Sequence, residues 1–370
     1  MIESFESVAA ALDQGLTLPA SWYSDPEVYA LERERIFAQA WQYAGWAELV
    51  RDRGEYFTAF AGHVPVVVLR DADGELRGFV NVCRHRGHLV AQGRGKRESL
   101  QCPYHAWTYG LDGCLRAAPR SEREPGFDFE AYSLLPVAVE TAGPFVFANP
   151  DPNADPLPEQ LRRLPELLAD GGLDVSALRF HERVEWDMDV NWKIGIENYL
   201  ECYHCPVAHP SFSKLIDVDP DAYLLSSEGL ISTQLGPVRE SALSSNGDGV
   251  PYVPRADSVR TQFHFVWPSL TINVEPGPPN MSVDVWRPVG PRRMESVSDY
   301  FFSEDATEKE RQEIIDFGAQ VGAEDVALVE SVQRGLDSGM VPRGRLLLSS
   351  EHLIAHFQRL VLDSLANGSH

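Results

Sequence analysis

The chain is 370 residues long, about twice a typical domain, so two domains are the expected organisation. A formal net charge of −23 excludes a binder of nucleic-acid backbone, which needs clustered Lys and Arg. No apolar run approaches the roughly 18 residues that a membrane span requires. The acidic start, Met1 to Gly15, lacks the basic and apolar regions of a signal peptide, so a cytoplasmic protein is expected. The charge itself reads first as a solvated surface and second as attraction for basic electron carriers or cationic substrates.

Ser24-Asp25-Pro26 reads as a helix start, and the helix is expected to run toward Trp41. From Tyr56 to Val82 the pattern changes to short β-branched runs, such as Val64 to Leu69. Asp73-Gly74 then supplies a hairpin turn before a strand over Phe79 to Val82, and Asp112-Gly113 marks another hairpin. This spacing predicts a small antiparallel β domain. Asn149 to Pro156, with prolines at 150, 152 and 156, reads as a linker. Beyond it the expectations are a long helix from Trp192 to His204, strands over Gln262–Val274 and Met281–Arg287, and two helices between Thr307 and Leu336. Together these make an α+β domain. The expected division is an N-terminal helical segment at 1–40 packing on the larger domain, the β domain at 41–155 and the larger domain at 156–370.

Five cysteines, an odd number, argue against a disulfide framework and turn attention to metals. Cys83-Arg84-His85 and Cys102-Pro103-Tyr104-His105, separated by sixteen residues, form two Cys/His pairs. Two thiolates can hold one iron of a [2Fe–2S] cluster while two imidazoles hold the other, which raises the potential above that of all-cysteine clusters. A zinc site is the competing reading, although zinc fingers usually group the two cysteines and then the two histidines. His88 is expected to pack or hydrogen-bond locally, Trp107 to shield the cluster, and Cys114 to be a buried small hydrophobe.

A second constellation follows Asn191-Trp192-Lys193. On a helix, Ile194, Glu197, Glu201 and His204 would share one face. His204 and His209 lie five apart, about 140° around an ideal helix, so a break is needed for them to converge. Pro206 supplies one near Cys205. Two histidines need a carboxylate to complete the arrangement that leaves iron positions open for O2. Asp325 is the candidate, on a helical stripe with Leu328, Val329, Val332 and Leu336, while Glu324 falls off that stripe and is expected to be solvated. Cys202 and Cys205 beside His204 would alternatively suggest zinc, a weak signal without a second pair.

The run Cys83 to Gly87 with Cys102 to Trp107 resembles the Rieske motif. Asn191 to His204, with Glu324-Asp325, resembles the iron segments of Rieske non-heme iron oxygenase α subunits (the ring-hydroxylating oxygenases). That resemblance implies a Rieske domain joined to a helix-grip catalytic domain, an antiparallel sheet gripping a long helix, in a homotrimer. It implies a [2Fe–2S] cluster on Cys83, His85, Cys102 and His105, and Fe(II) on His204, His209 and Asp325. Glu201 matches the acidic bridge between a cluster histidine and an iron histidine of the neighbouring subunit. No Gly-x-Gly-x-x-Gly or plant-type ferredoxin pattern is present, so NAD(P)H electrons are expected through a separate reductase, with or without a ferredoxin. The activity expected is O2-dependent monooxygenation, dioxygenation or demethylation of a small molecule.

The Glu-Cys-Tyr-His-Cys string at 201–205 is similar to that of oxygenases acting on betaine, choline or carnitine. Phe263, Phe265, Trp267 and Trp286 are candidates for an aromatic cage around a cation, against simple core packing. The alternatives are a hydroxylase or O-demethylase of an aromatic acid, and a Rieske electron carrier without oxygenase activity.

Overall fold

The computed structural model describes residues 3–243, 250–255 and 260–367. Contacts divide the chain into two compact units, Phe37–Pro165 and the combination of Met1–Ile36 with Glu166–His370.

In the Phe37–Pro165 unit, one antiparallel sheet has the order Gln42–Trp46, Phe145–Asn149, Pro136–Ala142, Leu76–Val80, Val64–Arg70, Glu55–Ala61 and Arg94–Lys96. A second, three-stranded sheet joins Leu100–Gln101, Thr108–Tyr109 and Leu115–Ala117. The β-branched run places Val66 to Leu69 fully in the core. Its hairpin turn is built by Asp71, whose Oδ1 accepts from the backbone N–H of Asp73 and of Glu75, each at 2.9 Å. The following strand stops at Val80, not Val82; the Asn81 backbone N–H still donates to Pro65 O at 2.8 Å. The buried Asn81 side-chain amide binds the backbone of Val90 and Ala91, which sets the base of the loop that begins at Cys83. The proline-rich stretch 149–156 lies inside this unit rather than at its edge. Trp41 Nε1 donates to Asp155 O at 2.9 Å, and Leu157 and Leu161 beyond it are buried.

In the other unit, the helix Pro26–Glu32 is capped by Asp25 and continues only as a wider turn, Arg33–Phe37, short of Trp41. The sheet has seven antiparallel strands: β1 Leu178–Met188, β2 Leu224–Glu228, β3 Ile231–Pro237, β4 Arg260–Val266, β5 Leu270–Val274, β6 Asn280–Gly290 and β7 Arg293–Ser303. Their order is β1-β7-β6-β5-β4-β3-β2. The expected strand over 262–274 is thus a hairpin, turned at a cis Trp267–Pro268 bond.

Helix α1, Trp192–Tyr199, starts at the Asn191 cap and ends five residues before His204. Glu201 ends it. Its carboxylate accepts from the backbone N–H groups of Tyr203 and His204, giving them a partner other than a helical carbonyl. Glu197, Glu201 and His204 therefore do not share one helix face.

A single helix α2, Glu308–Asp337, replaces the two expected between Thr307 and Leu336. A capping box between Thr307 and Glu310 starts it, and no proline interrupts its thirty residues. Its buried residues are Ile314, Ile315, Phe317, Val329 and Gln333, whereas Leu328 and Val332 are 38% and 48% exposed. The expected apolar stripe is thus wrong in those two members. Gly318 lies on the inner line because a Cβ there would sit 2.9 Å from the Tyr300 hydroxyl. Helix α3, Leu348–Asn367, closes the unit.

Two buried polar networks tie the N-terminal residues to α1. Lys193 and Glu32 are fully buried, bound to each other, and complemented by Trp22 O and Trp192 Nε1. Glu197 accepts from Tyr23 Oη at 2.7 Å and Gln358 Nε2 at 2.9 Å, and burial pushes its carboxyl up to about 7. Lys193→Met should cost about 3–5 kcal/mol in denaturant unfolding by leaving Glu32 buried and unpaired. A loss below 1 kcal/mol would contradict that account. Folded Glu197 keeps its proton up to about pH 7, whereas the unfolded chain releases it near the ordinary value, about 4.5. Its contribution to stability is therefore present at low pH and lost as pH rises through about 7. Glu197→Gln should flatten the fall in melting temperature across that window, and an unchanged slope would refute the assignment.

Candidate metal centres

The cluster loops are two copies of one backbone turn. Cys83 N donates to His88 O and Cys102 N to Trp107 O, both at 2.8 Å. Gly87 N returns to Cys83 O and Ala106 N to Cys102 O, both at 3.0 Å. The turn needs a left-handed residue, supplied by Gly87 at φ 76° and by Ala106 at φ 59°. Both thiols are buried, and the His85 and His105 rings lie 4.6 Å apart at the exposed rim. Two thiols below and two imidazoles above fit a cluster with one iron on each pair, not four unrelated core residues. The Tyr109 hydroxyl, 3.3 Å from Cys83 Sγ and accepting from Arg84 N at 3.0 Å, can also donate to that sulfur. Trp107 stacks on His85 at 4.9 Å, and His88 Nδ1 sits 2.7 Å from Leu89 O. Cys114 is exposed, contrary to the core role expected of it, because it lies in the Asp112 turn.

In the other unit, the break after Tyr199 and the short helices Cys205–Ala208 and Pro210–Leu215 bring His204 and His209 together. Their Nε2 atoms are 3.1 Å apart, and Asp325 Oδ1 lies 3.0 Å from His209 Nε2 and 3.6 Å from His204 Nε2. Each Nδ1 faces a carboxylate: Glu201 at His204, and Glu324 at His209 at 2.7 Å. Those carboxylates accept hydrogen bonds from the two Nδ1–H groups, so both Nε2 lone pairs and a carboxylate oxygen converge on one point. Three acceptors within 4.8 Å of one another repel unless a cation lies between them. The donor set fits a two-histidine, one-carboxylate metal with open positions.

Glu324 is therefore not a solvated residue but the partner of His209, and it is held in turn by Gln320 Nε2 at 3.0 Å. A stripe of apolar residues could not reveal it, since its role depends on a histidine 115 residues earlier. Asn198 was likewise unassigned, and its Nδ2 donates to Asp325 Oδ1 at 2.8 Å. Cys202 and Cys205 form a disulfide, contrary to the expectation of none and leaving no zinc set. The turn at 202–205 brings their Cα atoms to 5.0 Å.

A cavity of about 220 Å³ reaches the three converging atoms, between the sheet face and α2. Alternate residues of β6 and β7 line it, including Ser282, Asp284, Trp286, Ser298 and Tyr300. Phe263 and Trp286 face it, but Phe265 and Trp267 do not. Their part of the sheet is covered by α3, where both rings pack on Phe357. Two acids also line the cavity. Asp284 accepts from Thr271 Oγ1 at 3.2 Å and Asn273 Nδ2 at 2.5 Å, and burial pushes its carboxyl up to about 6. Glu275 Oε2 is sealed from solvent without a hydrogen-bond partner, and burial, with Asp284 nearby, pushes its carboxyl up to about 7.

Residues 40–137 match the Rieske [2Fe-2S] domain, and 175–367 match the ring-hydroxylating alpha subunit catalytic domain. The chain is 35% identical to the carnitine monooxygenase oxygenase subunit of Acinetobacter pittii, over 96% of each. It is 33% identical to the chloroplastic choline monooxygenase of Atriplex hortensis, over 96% of this chain and 80% of that one. The crystal structure of the quaternary ammonium Rieske monooxygenase CntA with L-carnitine superposes with a TM-score of 0.84 at 32% identity, covering 98% of this chain and 99% of that one.

The chain belongs to the Rieske oxygenases, with the α-subunit catalytic domain of the ring-hydroxylating family. It is an O2-dependent oxidoreductase whose cofactors are a Rieske [2Fe–2S] cluster and a mononuclear iron, with electrons delivered by a redox partner. The electron-carrier reading is thereby set aside. Among the described residues no helix is long and apolar enough to cross a membrane.

Glu324→Ala should weaken iron retention about 10- to 100-fold under chelator challenge, measured as iron content, with the cluster absorption unchanged. Unaltered retention would remove Glu324 from the site.

Proposed function

We propose that the protein is the terminal oxygenase for a quaternary ammonium compound, oxidised at a carbon near the nitrogen and, where that carbon is an N-methyl, demethylated. The observation that carries this reading is a cavity walled by aromatic rings and carboxylates that ends at the His204, His209 and Asp325 cluster. Relatives named for carnitine and choline oxidation support it. An aromatic acid, the second reading, would add another carboxylate beside Glu275 and Asp284.

In this reading His204, His209 and Asp325 hold Fe(II), and Cys83, His85, Cys102 and His105 hold the cluster. When bound, these groups supply O2 activation and electrons: one oxygen atom enters a C–H bond and the other leaves as water, with two electrons and two protons consumed. The residues of the chain do the rest. Glu201 and Glu324 retain the Nδ1 protons of the two histidines and fix the orientation of their rings. Asn198 fixes Asp325, and Trp286, Phe263 and Tyr300 place the substrate and exclude water. Glu201 also provides the link from a cluster histidine of a neighbouring subunit in a homotrimer. A separate reductase, with or without a ferredoxin, supplies the electrons. An oxidised N-methyl is a hemiaminal, which releases formaldehyde.

The test is a single turnover of chemically reduced, iron-loaded protein with O2 and a mixed panel of quaternary ammonium compounds and aromatic acids. Formaldehyde, or an oxygenated product of a quaternary ammonium compound, is expected by mass spectrometry. A hydroxylated ring product alone would overturn the substrate class. Asp325→Ala should abolish oxidation while leaving the cluster spectrum intact, and full activity in that variant would overturn the ligand assignment.

A further inference from the structure

We infer that the cavity selects a trialkylammonium cation without a carboxylate, such as an amino alcohol of the choline type, with Glu275 and Asp284 as its counterions. This rests on the quaternary ammonium reading and narrows it. The two named relatives divide on this point, since carnitine carries a carboxylate and choline does not, and their identities to this chain are too close to choose between them.

The cavity chooses by charge. Glu275 and Asp284 both line it, and Glu275 Oε2 has neither solvent nor a hydrogen-bond donor. A buried carboxylate in that state lacks its partner, and a cation in the cavity would supply one. Among the described residues no Lys or Arg lines the cavity, and the undescribed segments contain neither residue type. A substrate carboxylate would therefore enter as a further negative charge with no basic side chain to meet it. The metal is the one positive centre it could reach, where it would compete with O2 for the open positions.

The rings complete the case. Tyr199, Tyr223 and Tyr300 line the cavity together with the two acids, and burial with the charge of Glu275 or Asp284 pushes their hydroxyls up. Trp286 and Phe263 add faces for a cation. Apart from Glu201, His204, His209 and Asp325 at the metal centre, the remaining polar lining is uncharged, with Ser282 and Ser296 suited to an alcohol.

The experiment compares choline, glycine betaine, L-carnitine and the neutral isostere 3,3-dimethylbutan-1-ol on the holoprotein, by calorimetric binding and by single turnover. Choline should bind at least about tenfold tighter than either zwitterion, and the uncharged isostere should not compete. Glu275→Gln, with Asp284→Asn as the second variant, should weaken choline at least about tenfold while affecting the zwitterions far less. Cluster absorption and circular dichroism report whether each variant folds, and the wild-type panel decides if neither does. A preferred zwitterion, or an unchanged choline-to-betaine ratio in both folded variants, overturns this inference and leaves the proposed function standing. Turnover of aromatic acids alone overturns both.

Discussion

Three hydrogen-bond acceptors aimed at one point are a repulsive arrangement, and much of the larger unit serves to hold it. His204 Nε2, His209 Nε2 and Asp325 Oδ1 lie 3.0 to 3.6 Å apart. Glu201 and Glu324 accept from the opposite nitrogens, so a neutral imidazole at either position keeps its Nε2 lone pair for a metal. A metal ion is what makes the geometry favourable. The same carboxylates keep the rings from rotating, so the site is organised before the metal arrives.

That constraint explains the irregular chain around the site. A regular helix through His204 would place the two histidines on different sides, about 140° apart. Glu201 ends the helix by offering its carboxylate to the following backbone amides, and it binds His204 with the same group. The long helix α2 opposite is uninterrupted, which lets one rigid element deliver Glu324 to Nδ1 and Asp325 to Nε2 of the same histidine, His209. Between these elements the sheet presents a face of serines, acids and aromatic rings rather than the aliphatic face of an ordinary core. A polar sheet face beneath a helix costs stability, and the cavity is what it provides.

The cluster unit follows a different logic. Its two loops repeat one backbone turn, so two cysteines and two histidines acquire matching positions from local hydrogen bonds alone. Beyond these turns, Asn81 anchors the first loop to the strand before it, and the Tyr109 hydroxyl accepts from Arg84 N within it. The repeated turn is why spacing in the chain was informative there, and less so at the cluster of His204, His209 and Asp325, whose members lie 5 and 116 residues apart.

The sequence by itself determined the two Cys/His pairs, the near pair His204 and His209, the antiparallel β unit with its Asp-Gly turns and the α+β class of the remainder, because each rests on residues close along the chain. It missed β1, β2, β3, β7 and the continuity of α2, and it placed Leu328 and Val332 on the wrong face. Strands with mixed polar and apolar residues do not announce a buried face when that face is a cavity wall. Only the tertiary structure decided that Glu324 meets His209, that Phe265 and Trp267 are core rather than cavity, and that Glu275 and Asp284 line one cavity with no Lys or Arg among its described lining residues. Those are statements about which residues meet across the sheet and helix, and pattern along a single strand or helix carries no record of them.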